Sequence, residues 1–213
     1  MSRKKYRLVQ KIMTQTPKKK TSGRPKKLDR QRTIELAMES YWRDGLNALS
    51  VNEICRRTKI SKPGLYREFG GEDGLMEAVL DHYRNVVVRP LFSMLLADRP
   101  FAEVLSELVF WMTQDHGTPA GCLFVKMRYS PSRLGPATSA RVEALKDEMR
   151  GAYEAWYQRA LGRNEANAKI PPDFAAYYLD TQLTTVLVQM AAGDPPGLVR
   201  AQAQLAFSGI LPD

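Results

Sequence analysis

Histidine and cysteine are scarce. The 213 residues hold only His82, His116, Cys55 and Cys122, which excludes a disulfide framework and a zinc-ligand cluster. There is no His-Glu-x-x-His, no Gly-x-Ser-x-Gly and no Walker loop, so no catalytic residue, metal site or cofactor is expected, and the chain does not read as an enzyme. The "GGEDG" stretch carries glycines, but no strand precedes it and acids sit where a phosphate would bind. Long apolar runs are also missing. The best one, "VVVRPLFSMLL", is cut by Arg89 and Pro90, so no transmembrane helix is expected. The basic N-terminus lacks the apolar stretch and cleavage site of a secretory signal. The expected location is therefore cytoplasmic, with Met1 and Met13 as alternative starts. Period-two alternation never lasts beyond a few residues, and no internal repeat appears. The fold class expected is all-α.

What is present is an uneven charge. Residues 1–30 hold twelve Lys and Arg against the single acid Asp29, a net +11, whereas the remaining chain holds twenty bases and twenty-two acids. A basic arm on a near-neutral body suits a polyanion partner, against the alternative of a merely solvated tail. Residues 1–28, rich in charge with Pro17, Gly23 and Pro25, read as a largely disordered arm.

Helical spacing begins at Asp29, a plausible N-cap. Ile34, Ala37, Met38, Tyr41 and Trp42 recur on one stripe, and Gly45 ends the pattern. "SVNE" reads as a capping box, with Ser50 and Glu53 serving each other's amides at the head of a short helix to about Thr58. Ser61 then caps a third helix. Pro63 falls in its first turn, where its missing amide removes no bond. Gly64 costs about 1 kcal/mol there relative to alanine, which suggests a need for bare backbone. A fourth helix is expected from about Glu72 to Val88, with Pro90 and Pro100 interrupting the pattern. Further helices are expected at about 101–115, 119–129, 137–162, 172–192 and 196–210.

Two short helices joined by a tight turn behind a supporting helix follow the helix-turn-helix plan. The second of the pair enters the major groove N-terminus first. Lys62 can donate to guanine, Pro63 can touch a thymine methyl, and Gly64 lets the axis approach DNA. Tyr66 and Arg67 can hold phosphates. An ordinary surface helix in a bundle has the same spacing.

Residues 33–80, "TIELAMESYWRDGLNALSVNEICRRTKISKPGLYREFGGEDGLMEAVL", resemble the DNA-binding domain of the TetR family of bacterial transcriptional regulators. The shared pattern is an amphipathic helix, a glycine, a Ser/Thr-capped second helix, Leu-Tyr-x-x-Phe in the third and a Leu-rich fourth. "GRPKKLDR" and "GCLFV" resemble segments of one subgroup. The resemblance implies base contacts from Asn52, Lys62, Pro63 and Gly64, phosphate contacts from Ser50, Tyr66 and Arg67, and a minor-groove contact from Arg24. Two positions depart from the pattern. Lys59 stands where the turn usually has glycine, and Glu72 stands where a phosphate-binding lysine is frequent, which shifts the expected charge contribution to the arm.

The implied organisation is an arm at 1–28, a helix-turn-helix DNA-binding domain at 29–75 and a helical ligand-binding and dimerisation domain at 76–213. The implied function is a repressor that binds a near-palindromic double-stranded operator as a homodimer and is released by a small molecule. Residues 171–193 are apolar on two faces: Phe174, Tyr178 and Thr181 on one, and Leu179, Leu183, Val186, Leu187 and Met190 on the other. Such a helix needs cover on both, so the helices near 172–192 and 196–210 are the expected dimer contact. Trp111, Cys122, Met127, Tyr153, Trp156 and Tyr178 are candidates to line an effector pocket, although aromatics at this spacing also build plain cores. Cys122 has a second reading. With Thr118 as N-cap and Pro119 in the first turn, it would lie one turn into a helix near Lys126, the setting of an electrophile- or oxidant-sensing thiol. A DNA-binding regulator without any ligand is the remaining alternative.

Overall fold

The computed structural model describes residues 29–212, so the arm and Arg24 lie outside the described residues. Every regular element among them is helical. The first, α1 (Arg30–Asp44), starts as its sequence predicts. The Asp29 carboxylate accepts from the Arg32 amide at 3.0 Å, and Gly45 closes the end by donating to Tyr41 O at 3.0 Å. Next come α2 (Val51–Thr58), α3 (Lys62–Phe69) and α4 (Glu72–Tyr83). Then α5 (Arg89–Leu95), α6 (Phe101–Met112), α7 (Leu123–Arg128), α8 (Pro136–Gly162), α9 (Pro172–Ala192) and α10 (Pro196–Phe207) complete the order.

Two expectations fail locally, each for a backbone reason. Pro90 does not stop the helix. Residues Arg84–Val88 form a π-helical turn, and α5 continues through Pro90 to Leu95. A proline removes one amide donor and crowds the carbonyl four residues back, and a wider turn just before it accommodates both. The helix expected at 119–129 begins only at Leu123, so neither Thr118 nor Pro119 heads it, and Cys122 precedes it instead of lying one turn inside. The cause is Gly121, which has φ +77° and sits so close to α9 that a Cβ there would be 2.7 Å from the Ala191 methyl. Helical dihedrals start only past that contact.

The described residues pack as two compact units. The first runs to Val88 and adds His116–Pro119 and Lys126–Val142. The second holds Arg89–Asp115, Ala120–Val125 and Glu143 onward. In the first unit α1 packs on α2 and α4, and α3 packs on α4. Its core includes Ile34, Tyr41, Trp42, Leu49, Ile54, Leu65, Leu75 and Val79. The Trp42 and Tyr83 rings meet edge to face at 5.0 Å. Each such aliphatic side chain contributes about 1.5–3 kcal/mol when fully buried.

In the second unit α9 packs on α10 and α6, and α10 on α6. Its core is heavily aromatic. Phe101 lies 4.5 Å from Trp156 and 5.7 Å from Tyr157, centroid to centroid. The buried Tyr157 hydroxyl donates to Asn167 O at 2.9 Å, which meets the requirement that a buried donor be paired. No helix among the described residues is long and apolar enough to cross a membrane.

Candidate nucleic-acid interface

The α2–α3 pair is built from its own caps. Ser50 Oγ accepts from the Glu53 amide at 3.2 Å, which satisfies one orphan donor at the head of α2. The return half of the expected capping box does not form. The Glu53 carboxylate turns to Arg56 (2.7 and 2.8 Å) and Arg57 (2.6 Å). Those hydrogen bonds, from Arg56 first and then Arg57, bring its pKa down to about 2. Charge-assisted bonds to guanidinium outcompete a neutral amide. At the end of α2, Lys59 adopts φ 59° and ψ 28°, the left-handed conformation in which a non-glycine residue costs about 1–2 kcal/mol.

Ser61 then caps α3, its Oγ accepting from the Gly64 amide at 3.2 Å, with Pro63 in the first turn. Gly64 is buried. A Cβ on it would stand 3.0 Å from Ser61 Oγ and 3.2 Å from Ile60 Cγ1. The bare backbone that the sequence ties to DNA approach is already needed for the approach of α3 to its own turn.

One face of this pair is exposed to solvent. Ser50, Asn52, Lys62, Pro63, Tyr66 and Arg67 are all solvent-exposed, Tyr66 at 58%. The side chains of Asn52, Lys62, Tyr66 and Arg67 make no hydrogen bond or ion pair with any described residue. Several other cations of the unit are engaged: Arg57 with Asp44 and Glu53, Arg43 with Glu39, and Arg30 with Glu68. Leu65 on the opposite side of α3 is fully buried and sets the orientation of the helix.

Glu72 explains its departure from the expected lysine. Its carboxylate accepts from Tyr41 Oη at 3.3 Å and from Arg133 at 3.2 Å. Arg133 also donates to Leu46 O at 3.2 Å and Leu49 O at 3.1 Å, so it clamps the loop that carries Ser50. Burial, then the Glu72 charge, push the Tyr41 phenol far above its ordinary range and keep it a donor. Asp73, one residue on, caps α8 from a distance, accepting from the amides of Ala137 (2.9 Å) and Thr138 (3.0 Å) and from the Thr138 hydroxyl (2.6 Å). Burial works against its charge, but the bonds from Thr138 and Ala137 outweigh it and hold its pKa below the ordinary value. Lys126 donates to Trp42 O. None of these anchors is visible in the local pattern, because Tyr41 and Glu72 are 31 residues apart in sequence and the other partners more than sixty.

The six effector-pocket candidates fall on both units. Met127 is buried in the first unit, and the other five belong to the second. Tyr153 and Trp156 are core residues, and Trp111 and Tyr178 pack against that core. The crevice beside Trp156 has about 10 Å³ of room, no more than a single water requires. Tyr178 also changes sides. Its hydroxyl donates to Ala206 O at 2.6 Å and its ring faces Phe207, so Tyr177, not Tyr178, shares the outer face of α9 with Phe174 and Thr181.

A capped helix pair with a buried inner face and an outer face of unpaired donors defines a helix-turn-helix unit. Residues 34–79 match the family described as bacterial regulatory proteins, tetR family. The chain is 28% identical over 178 residues to the HTH-type transcriptional repressor ComR of Escherichia coli K12, covering 81% of this chain and 82% of that protein. It is 32% identical over 100 residues to the repressor BdcR of the same organism, covering 47% and 51%. A cysteine mutant of the regulator CifR, solved with a 26-bp double-strand operator DNA, superposes with a TM-score of 0.71 at 26% identity, covering 88% of this chain and all of that one. The reduced form of E. coli NemR shares the fold at a TM-score of 0.73 and 14% identity. The chain belongs to the TetR family of bacterial transcriptional regulators.

Proposed function

We propose that this protein is a repressor that binds a near-palindromic operator as a homodimer and is released by a small molecule. The observation that carries the reading is the exposed polar face of α2 and α3, whose side chains the rest of the protein leaves uncommitted. Lys62, Asn52, Tyr66 and Arg67 are exposed, and their side chains make no hydrogen bond or ion pair with any described residue, so they can exchange water for base edges and phosphates. Lys62 and Pro63 read base edges, with Asn52 from the head of α2. Ser50, Tyr66 and Arg67 hold phosphates, and Arg24 reaches the minor groove. Gly64 serves by allowing the tight turn that presents Lys62. Repression is supported by the names of the relatives ComR and BdcR, and operator binding by the CifR complex.

Dimerisation rests on an outer stripe in the second unit. Phe174, Tyr177 and Val188 of α9 and Leu198 and Leu205 of α10 are exposed, Leu205 at 78%. Exposed apolar residues that recur on one side of each helix mark an interaction surface, and a two-fold partner suits a two-fold site. The test is a mobility shift with DNA flanking the protein's own gene, together with sedimentation. Specific retardation by a dimer is expected. A monomer at micromolar concentration, or retardation of unrelated duplex equally well, overturns the reading.

A further inference from the structure

A cleft of about 540 Å³ opens between α6 and α10 in the second unit, within the range that encloses small ligands. Leu105, Val109, Phe207 and Leu211 give it apolar walls. Its polar groups are unequal. Glu107 already pairs with Arg99, which also reaches Glu103 at 3.5 Å. Arg200 makes no ion pair with any described residue.

Arg200 is nevertheless fixed in place. One guanidinium nitrogen donates to Thr113 Oγ1 at 3.0 Å, and the group lies 5.7 Å from the centre of the exposed Phe110 ring. The Thr113 hydroxyl is itself buried and bonded to Val109 O and Phe110 O, both at 3.0 Å. A guanidinium carries five donors in a planar fork. With one committed to Thr113, the rest remain for a carboxylate, the geometry that a guanidinium binds best. An apolar trough ending in one positioned, uncompensated cation is complementary to an amphipathic monoanion.

The cleft is also distinct from the outer stripe. Arg200, Gln204 and Phe207 follow one another at helical spacing along one side of α10. At 3.6 residues per turn, Leu205 and Leu198 point roughly 140° and 160° away from Arg200. Covering Leu198 and Leu205 with a second copy leaves the Arg200 side open.

We propose that this cleft is a ligand site for a small monocarboxylate with an apolar body, its carboxylate on Arg200 and its body along Leu105, Val109 and Phe207. It deepens the reading of an effector-controlled repressor and rests on it only for the consequence at DNA, since occupancy can be measured without DNA.

The experiment is calorimetric titration of the full chain with decanoate and, as the uncharged comparator, 1-decanol. Decanoate should bind once per chain and more tightly than decanol. Arg200→Gln should weaken decanoate about ten- to hundredfold and remove the preference over decanol. Ser106→Trp, at an exposed position on the cleft wall, should block both probes and leave helix content unchanged. The site is overturned if decanoate fails to bind the parent chain, or if it binds Ser106→Trp or a folded Arg200→Gln as tightly as the parent. Loss of operator binding in a separate mobility shift speaks to the repressor reading alone.

Discussion

The side chain of Lys62 is where one substitution separates reading from holding. It is exposed, lies at the N-terminus of α3 and has no hydrogen bond or ion pair among the described residues. Lys62→Ala should cost about 1–3 kcal/mol of specific binding and relax the preference at one base position. Tyr66→Phe should weaken binding to all sequences alike, because a phosphate carries no base identity. Binding-site selection with both variants checks the assignment, and an unchanged preference in Lys62→Ala removes Lys62 from the reading residues. His82 supplies a prediction about pH. Burial lowers its pKa below 6.5, with Glu35 opposing the shift, and its ring nitrogen lies 3.4 Å from the Gln31 amide. The unfolded chain therefore binds a proton that the folded chain resists. The contribution of His82 is fully present above about pH 6.5 and falls as pH drops through the native value. Urea midpoints measured from pH 7 to pH 5 should decline, and His82→Gln should flatten that decline.

Among the elements, α4 does more than follow the recognition helix. Glu72 holds Arg133 on the Ser50 loop, Asp73 caps α8, and Asp81 pairs with Arg141 of α8. The cap is the most exacting of these. Asp73→Ala leaves the Ala137 and Thr138 amides without their acceptor, while the Thr138 hydroxyl keeps the Asp73 backbone carbonyl at 2.9 Å. The missing cap costs about 1–2 kcal/mol, and that loss is expected. Chemical denaturation followed by circular dichroism measures it, and a loss under about 0.5 kcal/mol would mean the cap adds nothing beyond a surface contact. The same element shows why Glu72 is not a lysine. An ammonium there would face the Arg133 guanidinium and leave the Tyr41 hydroxyl without an acceptor.

For the whole molecule the dominant feature is the charge imbalance between arm and body. Deleting residues 1–27 removes eleven cations and keeps the Asp29 cap of α1. The truncated protein should remain helical and bind its operator more weakly. Each phosphate that the arm no longer neutralises takes about 0.9 from the slope of log K against log salt, so the line should become shallower. Specificity should fall less than affinity. Equal affinity and equal slope for the two proteins would show that the arm only solvates the chain.

How far the sequence reached depends on how local each cause is. Asp29, Ser50, Ser61 and Pro63 act within one helical turn, and the residues they cap are their neighbours in the chain. The bounds of α1 and α2, the start of α3 and the outward set of Lys62, Tyr66 and Arg67 follow from that spacing, whereas Asn52 rests on the family resemblance. The π turn before Pro90, the delayed start of α7 and the return of Glu53 to its arginines instead of the Ser50 amide depend on competition that spacing does not rank. More distant still are the Arg133 clamp, the Asp73 cap, the choice of Tyr178 over Tyr177 for burial, and the Arg200 cleft. Tyr177 and Tyr178 flank the same stripe of α9, and only the side on which α10 packs decides which one loses water. The sequence by itself determined which helices form and which face of the recognition helix stays polar, because those are short-range matters of capping and periodicity. Tertiary packing decided which charges far apart in sequence meet, as Glu72 and Arg133 do, and which, like Arg200, find no countercharge among the described residues, because such a partner is set by what lies next to the side chain in space.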